Sequence, residues 1–320
     1  MQLKTTRKIC TGLFSLLVLF CTTATAQPDN TPYIVVLGVA QDAGYPQIAC
    51  AKACCRPAWA DRDRRRSVAA LGLVDPVSRQ YWLIDATPDI RTQLHELRKM
   101  APEMTFGGVF LTHAHIGHYT GLMHFGREAM GARDIPVFAM PRMRQFLSQN
   151  GPWELLLRLH NISLKPLSAD STLNVRPHLS ITPMAVPHRD EYSETVGFRI
   201  EAGGKSVLYI PDIDKWDKWQ KKIEDVLRTV DVALLDGSFY EDGELPNRDM
   251  SEIPHPFISE SMRRFDTLAP EQRSKVVFIH FNHTNPVLQP GSQARREIEK
   301  RGYNVATQGM IIPLAEGSSR

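Results

Sequence analysis

The sequence predicts an α/β protein built as two packed β-sheets with helices on their outer faces. Three observations carry this. Strand-like and helix-like patterns alternate along the 320 residues. The strand patterns gather in two groups, which suits a pair of sheets better than one parallel sheet. The first strand runs into VLGVAQDAG, which lacks the spacing of a glycine-rich phosphate loop.

Residues 1–26 read as an export signal: Lys4, Arg7 and Lys8, the apolar run GLFSLLVLF, then Ala24-Thr25-Ala26 before Gln27. The run is far shorter than the roughly 20 residues that span a bilayer. Cleavage after Ala26 is therefore expected, leaving 27–320 as a single periplasmic or secreted domain with no membrane anchor. YIVVLGV (33–39) is the first strand. A polar loop with Cys50, Cys54, Cys55 and the charge run DRDRRR (61–66) follows. SVAALGLV (67–74) and YWLID (81–85) are neighbouring strands joined through Asp75-Pro76. Thr87 caps a helix that Pro88 opens, with Ile90, Leu94 and Leu97 on one face. FGGVFLT (106–112) is short and nearly all apolar, as in a sheet covered on both sides.

HYTGLMHFGREAM begins a second helix, IPVFAM is a strand, and PRMRQFLSQ and PWELLLRLH are short proline-led helices. The stretch 162–212 changes character: ISLKPL, HLSITPMAV, TVGFRIEA and SVLYI are strand-like, with Gly203-Gly204 as a tight connection. DKWDKWQKKIEDVLRTV (214–230) predicts an amphipathic helix with Trp216, Trp219, Ile223, Val226 and Leu227 in one core-facing stripe. VALLDG, KVVFIH and YNVATQGMIIPL close the chain as strands, with a helix around 291–300.

The composition, 42% hydrophobic and 23% charged, is that of a soluble globular chain. The net charge of +3 lies in the signal, and the remainder holds 35 basic and 35 acidic residues. No charge excess argues for a nucleic-acid partner, so a small-molecule substrate is expected. Oligomeric state is not written in the pattern.

The chemistry concentrates in THAHIGHYTGL (112–122). His113 and His115 follow an apolar strand one residue apart, so in extended backbone both imidazoles point to the same side. His118 opens the next helix, whose N-terminus favours a neutral imidazole able to coordinate a metal. Other metal-ligating types also follow apolar runs directly: His188 after MAV, Asp212 after SVLYI, His280 after KVVFI, and His283 three residues on. His95, His124, His160 and His178 lack that placement and read as structural or surface residues.

HAHIGH, VPHRD, YIPD and IHFNH resemble, in order, the signature blocks of the metallo-β-lactamase superfamily. GYPQ with nearby cysteines, ATPDIRTQL, ETVGF, LLDGSFYEDGEL, IPHPFISESM and HFNHTNP resemble one branch more closely. That branch is the PqqB-like proteins, related to the coenzyme PQQ synthesis protein B. The resemblance implies an αββα sandwich of two mixed sheets with a one- or two-metal site at the sheet edges. It assigns His113, His115 and His188 to a first metal and His118 and His280 to a second, with Asp212 bridging. It also implies catalytic roles for His255, as a general acid, and for Asp212, with Asp89 and Arg91 as substrate contacts. Zinc suits the imidazoles, while iron or manganese accepts nitrogen and carboxylate together.

The superfamily usually carries aspartate before the third histidine of its first block, and this chain has Gly117. Three outcomes follow. The site holds one metal through His113, His115 and His188, or two with His283 supplying the missing ligand, or it binds a ligand without turnover. The spare imidazole in HFNH favours the second. The branch's cysteine knuckle holds a structural zinc, spaced Cys-x-Cys-x-x-Cys. The Cys-x-x-x-Cys-Cys pattern here leaves a structural zinc and a surface disulfide both open.

The leading functional expectation is an exported metal-dependent hydrolase that directs a metal-activated water at an ester, phosphodiester or lactone. Two alternatives stand beside it: an iron-dependent oxidoreductase of the PqqB-like kind, and a non-catalytic metal- or ligand-binding protein of the same fold.

Overall fold

The computed structural model describes residues 30–315, so the expected export signal lies outside the described residues. The strands of the first sheet are β1 (Tyr33–Gly38), β2 (Ala70–Asp75), β3 (Gln80–Ile84), β4 (Thr105–Phe110), β5 (Ile135–Ala139) and β6 (Ile162–Pro166). The second sheet takes β7 (Leu173–Arg176), β8 (Leu179–Ala185), β9 (Val196–Ala202), β10 (Lys205–Ile210), β11 (Val232–Asp236), β12 (Val276–Ile279) and β13 (Asn304–Val305). The last strand, β14 (Ile311–Pro313), returns to the first sheet beside β1. The orders are β14-β1-β2-β3-β4-β5-β6 and β13-β12-β11-β10-β9-β8-β7. Each sheet is mixed: β3 to β6 run parallel, as do β10 to β13, while the remaining pairs are antiparallel.

Period-two alternation divides the strands between two apolar layers. Ile34 and Val36 of β1, Leu71 and Leu73 of β2, and Trp82 and Ile84 of β3 face the second sheet and meet Phe198, Ile200 and Tyr209. Tyr33, Val35 and Leu37, Ala70 and Val74, and Tyr81 and Leu83 face outward. Helices cover that outer face. After α1 (Arg56–Ala60) in the cysteine loop come α2 (Ile90–Met100), α3 (Ile116–Tyr119), α4 (Pro141–Gln149) and α5 (Trp153–Arg158). Of these, α2 to α5 contribute Ile90, Leu97, Tyr119, Met143, Leu147 and Leu156 to the outer layer. The second sheet is backed by α6 (Ile223–Arg228), α7 (Ile258–Phe265) and α9 (Gln293–Lys300), with α8 (Pro270–Arg273) a short exposed turn. The result is the expected αββα sandwich. No helix among the described residues is long and apolar enough to cross a membrane.

Three segments differ from expectation. The stretch 214–230 is a single 3-10 turn, Trp216–Lys218, followed by the short α6. Both tryptophans are buried as expected, but their N–H groups serve different elements. Trp216 donates to Ser261 on α7 at 2.9 Å and Trp219 to the Ala185 carbonyl of β8 at 2.8 Å, which draws the chain out of one continuous helix. The helix after His118 is only α3, because Gly121 N–H turns aside to donate to the Ala86 carbonyl at 2.9 Å. A 3-10 segment, Thr120–Phe125, then continues. The last strand pattern is two strands in different sheets, β13 and β14, separated by Gly309 at φ 89°. One sheet therefore hands the chain back to the other.

Candidate metal centre

The parallel strands of both sheets end on one edge, the position where ligands gather in α/β sheets. Asp85 follows β3, Thr112 and His113 follow β4, Asp212 follows β10, Asp236 ends β11 and His280 follows β12. His188 joins them from the loop after β8. Asp85 and His280 hold left-handed backbone, with φ 71° and 68°. Such a conformation costs a non-glycine residue about 1–3 kcal/mol and is concentrated at functional sites.

Two groups of donor atoms form. In the first, His113 Nε2 lies 3.3 Å and His115 Nδ1 3.7 Å from Asp212 Oδ2, and His188 Nε2 lies 3.2 Å from Asp212 Oδ1. In the second, His118 and His280 converge with Asp42, whose Oδ1 is 3.6 Å from His118 Nε2. The far nitrogen of each ring is tied elsewhere: His113 to Thr112 at 3.0 Å, His115 to Glu191 at 3.4 Å, His118 to Asp85 at 2.7 Å, His188 to Asp214 at 3.2 Å and His280 to Ser238 at 3.0 Å. That is how metal-ligating imidazoles are held in tautomer and orientation.

The inward atoms fit cations. His113 Nε2, His115 Nδ1, His118 Nε2, His188 Nε2, His280 Nε2, Asp42 Oδ1 and Asp212 Oδ1 are all buried and carry no hydrogen bond. Each such orphan costs about 1–3 kcal/mol, so seven aimed at one another constitute a strong demand for positive ions. Their spacings match the roughly 3.4 Å expected between ligand atoms of a tetrahedral ion with bonds near 2.1 Å.

The electrostatics agree. Burial drives the His113 imidazole well below its usual range, with neighbouring His118 adding to the effect. Burial also lowers His280. Burial opposes charge on Asp212, but His188 and His255 beside it hold its carboxyl well below the usual carboxylate range. His118 departs from expectation. Its four-residue helix is not the main influence on the ring: burial favours the neutral form, yet the Asp85 carboxylate pushes it up to about 9.

His255 sits beside this centre. Its Nδ1 is 2.8 Å from Asp236 Oδ2 and 3.1 Å from Asp212 Oδ1. Burial resists its charge, but those two carboxylates push it up to about 9. Its ring lines a cavity of about 380 Å³ together with Arg189, Arg248, Phe239, Asn282 and Asp42.

Three sequence-based assignments change. His283 does not join the histidine cluster. Its Nδ1 faces Cys55 Sγ at 3.3 Å and Cys54 Sγ at 3.7 Å, because the backbone turns after His280. Asp89 accepts from Val68 N–H at 2.9 Å and so braces the loop between two strands, apart from the cavity. Arg91 lines a separate apolar cavity of about 410 Å³ with Leu94, Phe106 and Phe125, between α2 and the outer face of the first sheet. Neither takes the position of a substrate contact at this centre.

Among the described residues, Cys50, Cys54 and Cys55 form no disulfide. Cys50 and Cys54 sulfurs are 4.0 Å apart, Cys54 and Cys55 3.9 Å. A tetrahedral zinc with Zn–S bonds near 2.3 Å sets its sulfurs about 3.8 Å apart. Adjacent Cys54 and Cys55 thus do face one site, and with His283 they complete a Cys3His tetrad. Asp42, Asp85, Asp214 and Asp236 escaped selection from sequence as metal-site residues. The rule that found Asp212, a carboxylate directly after an apolar run, also applies to Asp85 and Asp236. No such signal marks Asp42.

These features define a metal centre at the edge of an αββα sandwich. Residues 81–281 match the model of the β-lactamase superfamily domain, and the chain belongs to that superfamily. Within it, the similarity is to the PqqB-like branch. The chain is 28% identical over 307 residues to the coenzyme PQQ synthesis protein B of Methylorubrum extorquens strain PA1, covering 88% of this chain and all of that one. The crystal structure of Zn(2+)-bound PqqB from Methylobacterium extorquens superposes with a TM-score of 0.73 at 26% identity, covering 88% and 99% of the two chains. A diphosphatase of the PhnP family shares the fold, with a TM-score of 0.61 at 21% identity over 88% and 96%.

Proposed function

We propose that the protein is a metal-dependent hydrolase of small anionic esters, phosphodiesters or lactones. The observation that carries this is the set of orphaned imidazole and carboxylate atoms at the edge of a cavity of about 380 Å³. His113, His115, His188 and Asp212 would hold one divalent cation, and His118 and His280 would supply ligands to a second. Bound there, such ions supply Lewis acidity and make water a nucleophile near neutral pH.

The remaining groups have readable parts. Arg189 and Arg248 bring two guanidiniums to the cavity, which favours a substrate with a phosphate or carboxylate. Phe239, Leu245 and Ile253 give it an apolar wall. His255, held by Asp236 and Asp212, carries the proton that a leaving oxygen needs, so it is the general acid. The leader-like residues 1–26 add the proposal that this work is done outside the cytoplasm.

The test is a metal assay of the purified protein beside a panel of neutral and anionic esters and phosphodiesters, with oxygen uptake followed in parallel. Hydrolysis without oxygen consumption, lost in His113→Ala, is expected. Arg189→Ala and Arg248→Ala should each raise KM at least tenfold for anionic substrates and little for neutral ones. Oxygen uptake by redox-active iron would replace the hydrolytic reading with an oxidative one. A metal-loaded chain that turns over nothing would make it a binding protein.

A further inference from the structure

We propose that Asp42, from the loop after β1, is the carboxylate ligand of the cation between His118 and His280. Position 117 is glycine, on this view, because Asp42 already fills its side-chain space. The inference rests on the metal-dependent reading for the existence of that cation, and adds which residue completes its shell.

The steric part is direct. A Cβ built on Gly117 would lie 2.3 Å from Asp42 Oδ1 and 2.6 Å from Asp42 Cα. Neither can yield cheaply, since one is backbone and the other is the atom aimed at the site. Any side chain at 117 therefore displaces Asp42, and the two positions compete for one volume. The chemical part is independent. Asp42 Oδ1 is buried without a hydrogen bond, as are His118 Nε2 and His280 Nε2, and at 3.6 Å from His118 Nε2 it is too far for a hydrogen bond. A carboxylate oxygen and two imidazole nitrogens within 4.8 Å of one another form half or more of a divalent-ion shell.

The backbone holds this arrangement in place. Phe281 N–H donates to the Val39 carbonyl at 2.8 Å, and Gln41 N–H donates to the Phe281 carbonyl at 2.9 Å. The loop is thus laced to the residue directly after His280. Asp42, one position past Gln41, is carried to the site by pairing between the beginning and the end of the chain.

The experiment uses cobalt(II) titration of the full chain, followed by absorption spectroscopy and elemental analysis, on Asp42→Asn, Asp42→Ala and Gly117→Ala. Cobalt bound to thiolates is separable by its charge-transfer bands, so the Cys3His tetrad is counted apart. Asp42→Asn, which keeps the shape, and Asp42→Ala should each weaken the second histidine-site equivalent at least tenfold and spare the first. Gly117→Ala should weaken it too, because its Cβ displaces Asp42 and supplies no ligand. Unchanged second-site affinity in Asp42→Asn, or in Gly117→Ala, would overturn the assignment. A wild-type chain taking one cation at the histidines would also overturn it while leaving hydrolysis standing. One taking none there would remove both.

Discussion

Asp85 bears on the whole centre without facing the cavity. Its Oδ1 accepts from Thr112 N–H at 2.8 Å and from the Thr112 hydroxyl at 2.9 Å, and its Oδ2 accepts from His118 Nδ1 at 2.7 Å. One buried carboxylate therefore fixes the turn that presents His113 and the ring that presents His118. Asp85→Asn keeps the size but removes the charged acceptor behind His118. Loss of such a partner typically weakens metal binding about 10–100-fold. The expected outcome is that drop at the His118–His280 equivalent in a cobalt titration, with the other histidine equivalent nearly unmoved. Asp85→Ala also leaves Thr112 N–H unpaired, so it should lower unfolding stability by a further ~1–3 kcal/mol. An Asn variant with wild-type affinity would mean that Asp85 serves only the Thr112 turn.

Between residue and fold lie the loops, and the one from β11 to α7 carries a titrating group of its own. Glu244 Oε2 accepts from Tyr240 N–H at 2.7 Å and Oε1 pairs with the Thr284 hydroxyl, so its carboxyl is held in a mostly enclosed pocket. Burial pushes it up to about 7, with the two hydrogen bonds opposing. The neutral form is thus the one the fold prefers. Its stabilising contribution is complete below the ordinary value of 4.5 and disappears as pH rises toward about 7. Glu244→Gln mimics the neutral form. It should match the wild type near pH 4 and exceed it at pH 8 by roughly 2–3 kcal/mol, read from urea unfolding at the two values. A difference independent of pH would place the effect in packing instead. The same scale explains what could be read from sequence. Strands β1 to β6 and β8 to β12 were legible because their apolar runs are continuous or alternate cleanly, and His113, His115, His188, Asp212 and His280 were legible because each ends or follows such a run. The helix expected over 214–230 failed because its tryptophans bond to two different elements, information that periodicity does not hold. Asp42 and His283 were misjudged for the same reason: the partners of each are more than 70 residues away, and only the folded sheets bring them together.

At the scale of the molecule, the Cys3His tetrad joins the first loop to the last. Cys50, Cys54 and Cys55 follow β1, and His283 follows β12, with Cys55 Sγ and His283 Nδ1 separated by 228 positions in sequence and 3.3 Å in space. The Cys55 thiol is a poor donor as it stands: burial pushes it up to about 12. A cation there must displace the proton, which ties its binding to folding. The loops so joined also carry Asp42 and His280, the ligands on which the second histidine site depends. The tetrad is therefore expected to stabilise the fold and also to fix the geometry of that site. Cys55→Ser should lose one thiolate-bound metal equivalent and lower Tm by about 5 °C or more, as loss of a few kcal/mol does in a chain of this size. Because neighbouring sites couple through shared backbone, the same variant should weaken the His118–His280 cation several-fold. The His113–His115–His188 cation hangs from β4 and β8, outside those loops, and should keep its affinity. If instead both histidine equivalents fell together, the tetrad would be supporting the sandwich as a whole. If neither moved while Tm dropped, the first and last loops would be held in register by β1, β14 and the Val39–Phe281 pairing alone.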